Sequence, residues 1–296
     1  MATNEKKRKR RLGDRRDGRL LRTVSPMSTV ALYIMKDRND ACNMFSDPIE
    51  IKEIEKYIAE KRAQGFKGLG VLHVIVAAYV RTVAKYPGIN RFIAGQRIYA
   101  RNDIQVMLTI KKTMEVNSPD TVIKVSLMPD ADIKTVYENI NREIYKNKGD
   151  TEDSAFDKTA NFLRHIPRLA LRGVVGFLKF LDYFGWLPKF LLEVSPFHGS
   201  FFITSMGSLG IPAIFHHLYN FGNVPLFCSY GAKRTDYVNG PLGLPVEKKF
   251  VDCSYVMDER ICDGHYYATA FKYLREVLKN PHVLDNPPEV VIEDID

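Results

Sequence analysis

The sequence predicts an α/β fold, a two-layer sandwich in which helices cover a mixed β-sheet, and three observations predict it. Segments at strand and at helix periodicity come in the order strand, helix, helix, several strands, helix, without strict βα alternation and without the glycine fingerprint of a dinucleotide-binding fold. One stretch, Leu69 to Ala84, is apolar on nearly every side (Val71, Leu72, Val74, Ile75, Ala78, Val80, Val83) and therefore has to be a helix packed between other elements. With 296 residues, 45% of them hydrophobic, the chain holds enough apolar material for one large domain or two small ones.

Residues 1–22 carry ten Lys/Arg (Lys6, Lys7, Arg8, Lys9, Arg10, Arg11, Arg15, Arg16, Arg19, Arg22) against Glu5, Asp14 and Asp17, so all but about one of the eight net positive charges belong to this stretch. Having almost no apolar residues, it is expected to be a disordered basic tail. It is either a solvated extension or an electrostatic contact for an anionic partner, and Lys6–Arg11 also has the composition of a nuclear import signal.

Order is expected from Val24 onward. Ser28–Ile34 reads as a short helix or strand, and Ala41–Phe45 and Ile49–Ile51 as strands punctuated by Asp47-Pro48. Between Glu50 and Arg62, Ile51, Ile54, Ile58 and Ala59 recur at helical spacing among charges, which gives an amphipathic helix. The buried helix follows and stops at Tyr86-Pro87-Gly88, since proline cannot continue it. Ile89–Phe92 with Gln96–Ala100 suggests a hairpin. Ile104–Lys111 and Thr121–Leu127 alternate as strands around a polar turn (Asn117, Ser118, Pro119, Asp120), and Ile133–Lys146 is a further amphipathic helix.

Residues 156–194 place Arg164, Arg168, Arg172 and Lys179 near one stripe of a helix whose other faces are apolar. Charges interrupt the run too often for a membrane span. Three uses stay open: a pair of core or subunit-interface helices, a tunnel or lid for an acyl chain, or a helix lying on a membrane surface. Ser200–Ser205, Pro225–Ser229 and Phe250–Tyr255 are strands, with a turn near Asn239-Gly240, and residues 281–296 form an acidic, proline-containing tail expected to be loose. The domain layout is thus a tail (1–22), one domain (23–280) and a second tail (281–296).

Cys42, Cys228, Cys253 and Cys262 include no Cys-x-x-Cys pair, which argues against a disulfide framework or a zinc site and for a reducing compartment. The start has no apolar signal-peptide core, so the expected location is cytoplasmic. His216-His217 has no third ligand at metal spacing, and no metal is expected.

The chemistry is concentrated in Tyr255-Val256-Met257-Asp258-Glu259-Arg260-Ile261-Cys262-Asp263-Gly264, where a β-rich approach meets a helix-like segment, Tyr266 to Leu278. Asp263 can cap that helix and Gly264 can supply the sharp turn into it. The run resembles the Asp-His-Arg-x-x-Asp-Gly signature of dihydrolipoyl acyltransferase catalytic domains, and the related His-x-x-x-Asp-Gly motif of chloramphenicol acetyltransferase. Glu259 stands where the motif has its catalytic histidine. Ser200–Gly210 resembles the family's Phe-Thr-Ile-Ser-Asn-Leu-Gly block, Phe227–Arg234 its apolar strand ending in Gly and a basic residue, and Leu72–Asn90 its helix ending in Phe-Pro-x-x-Asn. The likeness runs from about Val24 to Lys279.

That resemblance implies a chloramphenicol acetyltransferase-like fold, a homotrimer or multiple of trimers, and active sites between subunits where acyl-coenzyme A meets an acceptor. It implies that Thr204, with Ser205 beside it, donates to the tetrahedral oxyanion. It implies that Asp263 is the structural carboxylate, for which Arg38 is the candidate partner. A glutamate near pKa 4.3 is too weak a base for a thiol near about 8.5 unless burial raises it. Three alternatives follow: Glu259 is a tuned base; His265, His198 or the His216-His217 pair supplies the base; or transfer chemistry is lost and ligand binding or a scaffold role remains. Cys262 is either a nucleophile or a small buried hydrophobe. No lipoyl-bearing region precedes the domain in this sequence, which favours a free-standing acyltransferase acting on a small or lipidic acceptor.

Overall fold

The structure, a computed structural model, describes residues 9–111, 120–148, 165–240 and 243–296. Six strands form the main sheet in the order β2-β9-β8-β7-β5-β6: β2 (Cys42–Glu50), β5 (Ile104–Lys111), β6 (Asp120–Leu127), β7 (Phe201–Ser205), β8 (Leu226–Asn239) and β9 (Pro245–Asp258). It is mixed: β7 runs parallel to both β5 and β8, and the other neighbours are antiparallel. A three-stranded sheet, β1 (Gly18–Leu20), β4 (Arg97–Arg101) and β3 (Arg91–Ala94), stands apart. The turn residues 117–119 lie outside the described residues.

Helices α1 (Pro26–Ile34), α2 (Lys52–Ala63), α3 (Val71–Lys85), α4 (Ile133–Lys148) and α7 (Gly264–Lys279) accompany the sheet. α3 is the keel, as its all-round apolar pattern requires. Val74 through Ala84 are all buried, and Tyr79 stacks on Phe201 of β7 with ring centroids 4.3 Å apart. Each large side chain withdrawn from water here contributes about 1.5–3 kcal/mol. α7 adds Tyr267, Phe271 and Leu274 from one face to the same core.

Two readings of the sequence change. Asp47-Pro48 does not break a strand. β2 runs unbroken from Cys42 to Glu50 with Pro48 opposite Asp252, because β2 is an edge strand and a missing N–H can face outward there. The two strands expected at 225–229 and 250–255 are parts of a 14-residue pair whose distal halves are largely exposed.

The termini also depart from expectation. Residues 9–22 are ordered, whereas residues 1–8 lie outside the described residues. β1 pairs with β4, and Arg15 is 5% exposed, bound to Asp17 (3.1 Å) and Asp182 (2.6 Å). The last residues are not loose either. Asp294 takes both ends of the Arg91 guanidinium (2.6 and 2.7 Å), Ile292 N–H donates to Ala84 O, and the Asp296 carbonyl accepts from Arg22 and Thr23 N–H. Composition taken end by end counts both segments as solvated charge, but the fold sets them side by side, with Arg11 and Arg19 paired to the Asp296 carboxylate at 2.9 and 3.6 Å.

Residues 165–194 carry α5 (Arg168–Phe184) and α6 (Lys189–Val194), while 156–164, the start of the apolar segment, lie outside the described residues. No residue of α5 is buried, so the core-helix reading does not hold for it within one chain. Among the described residues no helix is long and apolar enough to cross a membrane.

Candidate active site

The site is built on the last residue of β9. Asp258 is fully shielded from solvent, and its N–H donates to Pro225 O while its carbonyl accepts from the Tyr267 hydroxyl at 3.0 Å. Its carboxylate receives the Arg260 guanidinium side-on, Nε to Oδ1 at 2.8 Å and Nη2 to Oδ2 at 2.7 Å. Arg38 forms a second ion pair with the same carboxylate, with Nε 3.3 Å from Oδ2. The free arms of the two arginines tie down neighbouring backbone: Arg260 Nη1 donates to Met35 O and Lys36 O at the end of α1, and Arg38 Nη1 to Tyr219 O at 2.6 Å. One buried carboxylate thus anchors three chain segments, an arrangement in which removing either charge strands the other.

Arg38 therefore pairs with Asp258 and not with Asp263. The reason is position: Asp258 ends a buried strand within reach of both arginines, whereas Asp263 is exposed at the helix entry. There it caps α7 as expected, with Oδ1 accepting from Tyr266 N at 2.8 Å. Gly264 does not make a sharp turn. Its φ is unexceptional, and nothing lies within 4 Å of where a Cβ would stand.

Glu259 is half-buried at the lip of this anchor. Its N–H donates to Ala41 O, and its Oε2 accepts from Asn43 Nδ2 at 2.7 Å, so backbone and side chain are both fixed. Asn43 was not legible beforehand: it reaches Glu259 only because the β2–β9 register sets it opposite Met257. Arg260 and Tyr267 stood in or beside the motif, but nothing in the sequence assigned them to Asp258.

Thr204 and Ser205 close β7, both half-buried. The Ser205 hydroxyl accepts from Ser208 N at 3.4 Å, starting the turn Gly207–Leu209. That turn lies tightly on β8. A Cβ on Gly207 would come 2.6 Å from Gly231 O, and one on Gly231 would come 2.5 Å from Ala213 N, so glycine is required at both. Thr204 lies opposite Ser229, which lies opposite Ser254, five residues before Glu259. Two strand spacings across and five residues along place Glu259 and Thr204 on the order of 20 Å apart within one chain. A single chain does not bring the acid group and the hydroxyls to one substrate.

The other candidates have separate places. His265 is exposed on the first turn of α7. Cys262 is buried, and burial pushes its thiol up to about 12, which leaves it protonated and unreactive near neutrality. His216 stacks on Phe227 (4.2 Å) and on His217 (4.5 Å), over the sheet face. His198 is buried, with Nδ1 2.8 Å from Ser195 Oγ and Nε2 3.5 Å from Asp182, and burial lowers its pKa. It belongs to the contact that holds α5, not to the motif.

No protein-family model matches the chain, and no curated protein matches it. Solved structures do. A truncated catalytic core of the 2-oxoacid dehydrogenase multienzyme complex from Thermoplasma acidophilum is 12% identical, covers 89% of this chain and 99% of its own, and superposes with a TM-score of 0.54. A chloramphenicol acetyltransferase is 13% identical over 88% of this chain and 99% of its own, TM-score 0.54. A Listeria monocytogenes protein described as a probable dihydrolipoamide acetyltransferase is 14% identical over 87% and 94%, TM-score 0.54. What the chain shares with them is the fold, a chloramphenicol acetyltransferase-like α/β sandwich with a mixed sheet.

Proposed function

We propose that the chain is a coenzyme A-dependent acyltransferase whose active site is completed between copies of itself, with Glu259 as the base. The observation that carries this reading is the fixing of Glu259 beside a fully buried Asp258–Arg260–Arg38 anchor. A group whose only task is to face solvent needs no such positioning, whereas a general base has to be held within hydrogen-bond reach of the proton it takes. The similarity of the fold to acyltransferase cores supports the reaction class.

In this mechanism Glu259 removes the proton of an acceptor thiol or hydroxyl as that atom attacks the thioester carbonyl. The hydroxyl of Thr204 from a neighbouring copy donates to the oxyanion, and the proton returns to the departing thiolate. A trimer, or a multiple of trimers, is the assembly that brings the two ends of the sheet together. The fit is uneven: the hydroxyls and the anchored lip suit a thioester, while a carboxylate replaces the usual imidazole. The alternative is a family member that holds an acyl thioester, or scaffolds other subunits, without turning over.

The test is acyl transfer from a panel of acyl-coenzyme A donors to thiol and hydroxyl acceptors. Glu259→Gln is expected to lower kcat by roughly a hundredfold or more at unchanged stability, which is the range for loss of a general base. Equal turnover by Glu259→Gln removes the carboxylate from the chemistry. An inactive native protein that becomes active as Glu259→His identifies the non-catalytic alternative.

A further inference from the structure

We infer that α5 is a docking surface for an anionic phospholipid bilayer, on which the protein lies without spanning it. Three stripes run along the helix. Leu171, Val174, Leu178 and Leu181 recur at helical spacing and are half-buried. A second stripe, Leu169, Phe177, Phe180 and Phe184, is turned outward, at 83, 60, 50 and 50% exposure. A third holds Arg168, Arg172 and Lys179, all exposed. Just past the helix Trp186, 63% exposed, stacks on Phe184 at 5.0 Å, so the aromatics touch one another while remaining in solvent.

The face is held firmly in place. The last turn of α5 is clamped to the body by Arg15 on Asp182 (2.6 Å), by His198 on the same carboxylate, and by the Tyr183 hydroxyl on Gln96 (3.0 Å). Those contacts occupy Asp182, the single acid of the helix, and leave its outward charge wholly positive. That asymmetry selects the occupant. A second copy placed on α5 by a two-fold axis would set three cations against three cations. An anionic lipid surface instead takes Phe and Trp side chains at headgroup level and neutralises the flanking Arg and Lys. Each cation near such a surface is worth roughly fivefold in partitioning, so the three together give on the order of a hundredfold preference for anionic over neutral lipid.

Trp186 is the only tryptophan of the chain, so its emission reports on this surface alone. The full-length protein is to be titrated with vesicles of phosphatidylcholine alone and of phosphatidylcholine with phosphatidylglycerol, at low and high salt. The expected result is a blue shift of Trp186 emission and co-sedimentation with the anionic vesicles only, reduced by salt. Leu169→Glu combined with Phe177→Glu is expected to weaken binding by about tenfold or more at unchanged thermal stability, because neither side chain is packed. Arg172→Glu combined with Lys179→Glu is expected to abolish the preference for anionic lipid. Absence of a shift with anionic vesicles, or equal binding to both compositions, overturns the inference. So does a lipid-independent blue shift that grows with protein concentration and is lost in Leu169→Glu/Phe177→Glu, which assigns the face to a contact between copies.

Discussion

At the end of β9 one carboxylate, Asp258, is shielded from water and shared by two guanidinium groups, whereas α5 leaves three cations and four large apolar side chains in solvent. Both regions depend on arginine, but to opposite ends. Arg38 and Arg260 are spent inside the chain, fixing backbone around Glu259: Arg260 hydrogen-bonds Asp258 and two carbonyls, while Arg38 hydrogen-bonds Tyr219 O and pairs with the Asp258 charge. Arg168 and Arg172 are exposed on a helix that has no buried residue. Internal charge pairing marks a region built to keep its geometry, and outward charge beside outward apolar surface marks one built to meet something else.

The largest effect expected from breaking this contrast is at Asp258. Asp258→Ala leaves two buried guanidinium groups uncompensated and is expected to cost about 3–5 kcal/mol in chemical denaturation. A loss below about 1 kcal/mol would mean that the anchor is not what fixes the turn.

Asp182 joins the two regimes, since it is the point where the exposed helix meets the body. Burial opposes its charge, but the neighbouring His198 imidazole at 3.5 Å and the Arg15 guanidinium at 2.6 Å outweigh burial and bring its pKa down from 3.8 to about 2. A carboxyl depressed by folding adds stability that is fully present above the unfolded value and is lost as pH falls through the folded one. The wild-type protein is therefore expected to lose about 2 kcal/mol from this group between about pH 5 and pH 2. Asp182→Asn is expected to lack that part of the acid dependence, as read from denaturation midpoints across the range. An unchanged slope would show that Asp182 is not held by charge.

The smallest effect expected is at the outward stripe. Leu169→Glu is expected to alter stability by no more than about 0.5 kcal/mol, because the side chain leaves no core contact behind. A larger loss in the isolated protein would mean that the stripe is covered in solution by another part of the assembly.

Much of this was legible in the residues. The all-round apolar pattern at 69–84, the proline after it and the period-two strands fixed the sandwich, and Asp263 as a helix cap follows from its place before an apolar-periodic run. The charge network was not legible. Arg38 reaches Asp258 across 220 positions, and Asn43 meets Glu259 through strand register, which no local pattern encodes. The termini misled for a related reason: a basic run and an acidic run each look solvated until the fold places Arg11 and Arg19 on the Asp296 carboxylate. For α5 the periodicity was plain, but which stripe faces the body depends on packing that the sequence does not display.

The most direct test of the central claim, an active site shared between copies with Glu259 on one and Thr204 on the next, is subunit complementation. Glu259→Gln and Thr204→Ala proteins, each inactive alone, are to be co-refolded in equal amounts and assayed for acyl transfer. Random mixing is expected to restore roughly a quarter of wild-type activity, since about one site in four then draws both native groups from different copies. A mixture no more active than its parents, from partners shown to have co-assembled, would contradict a shared site.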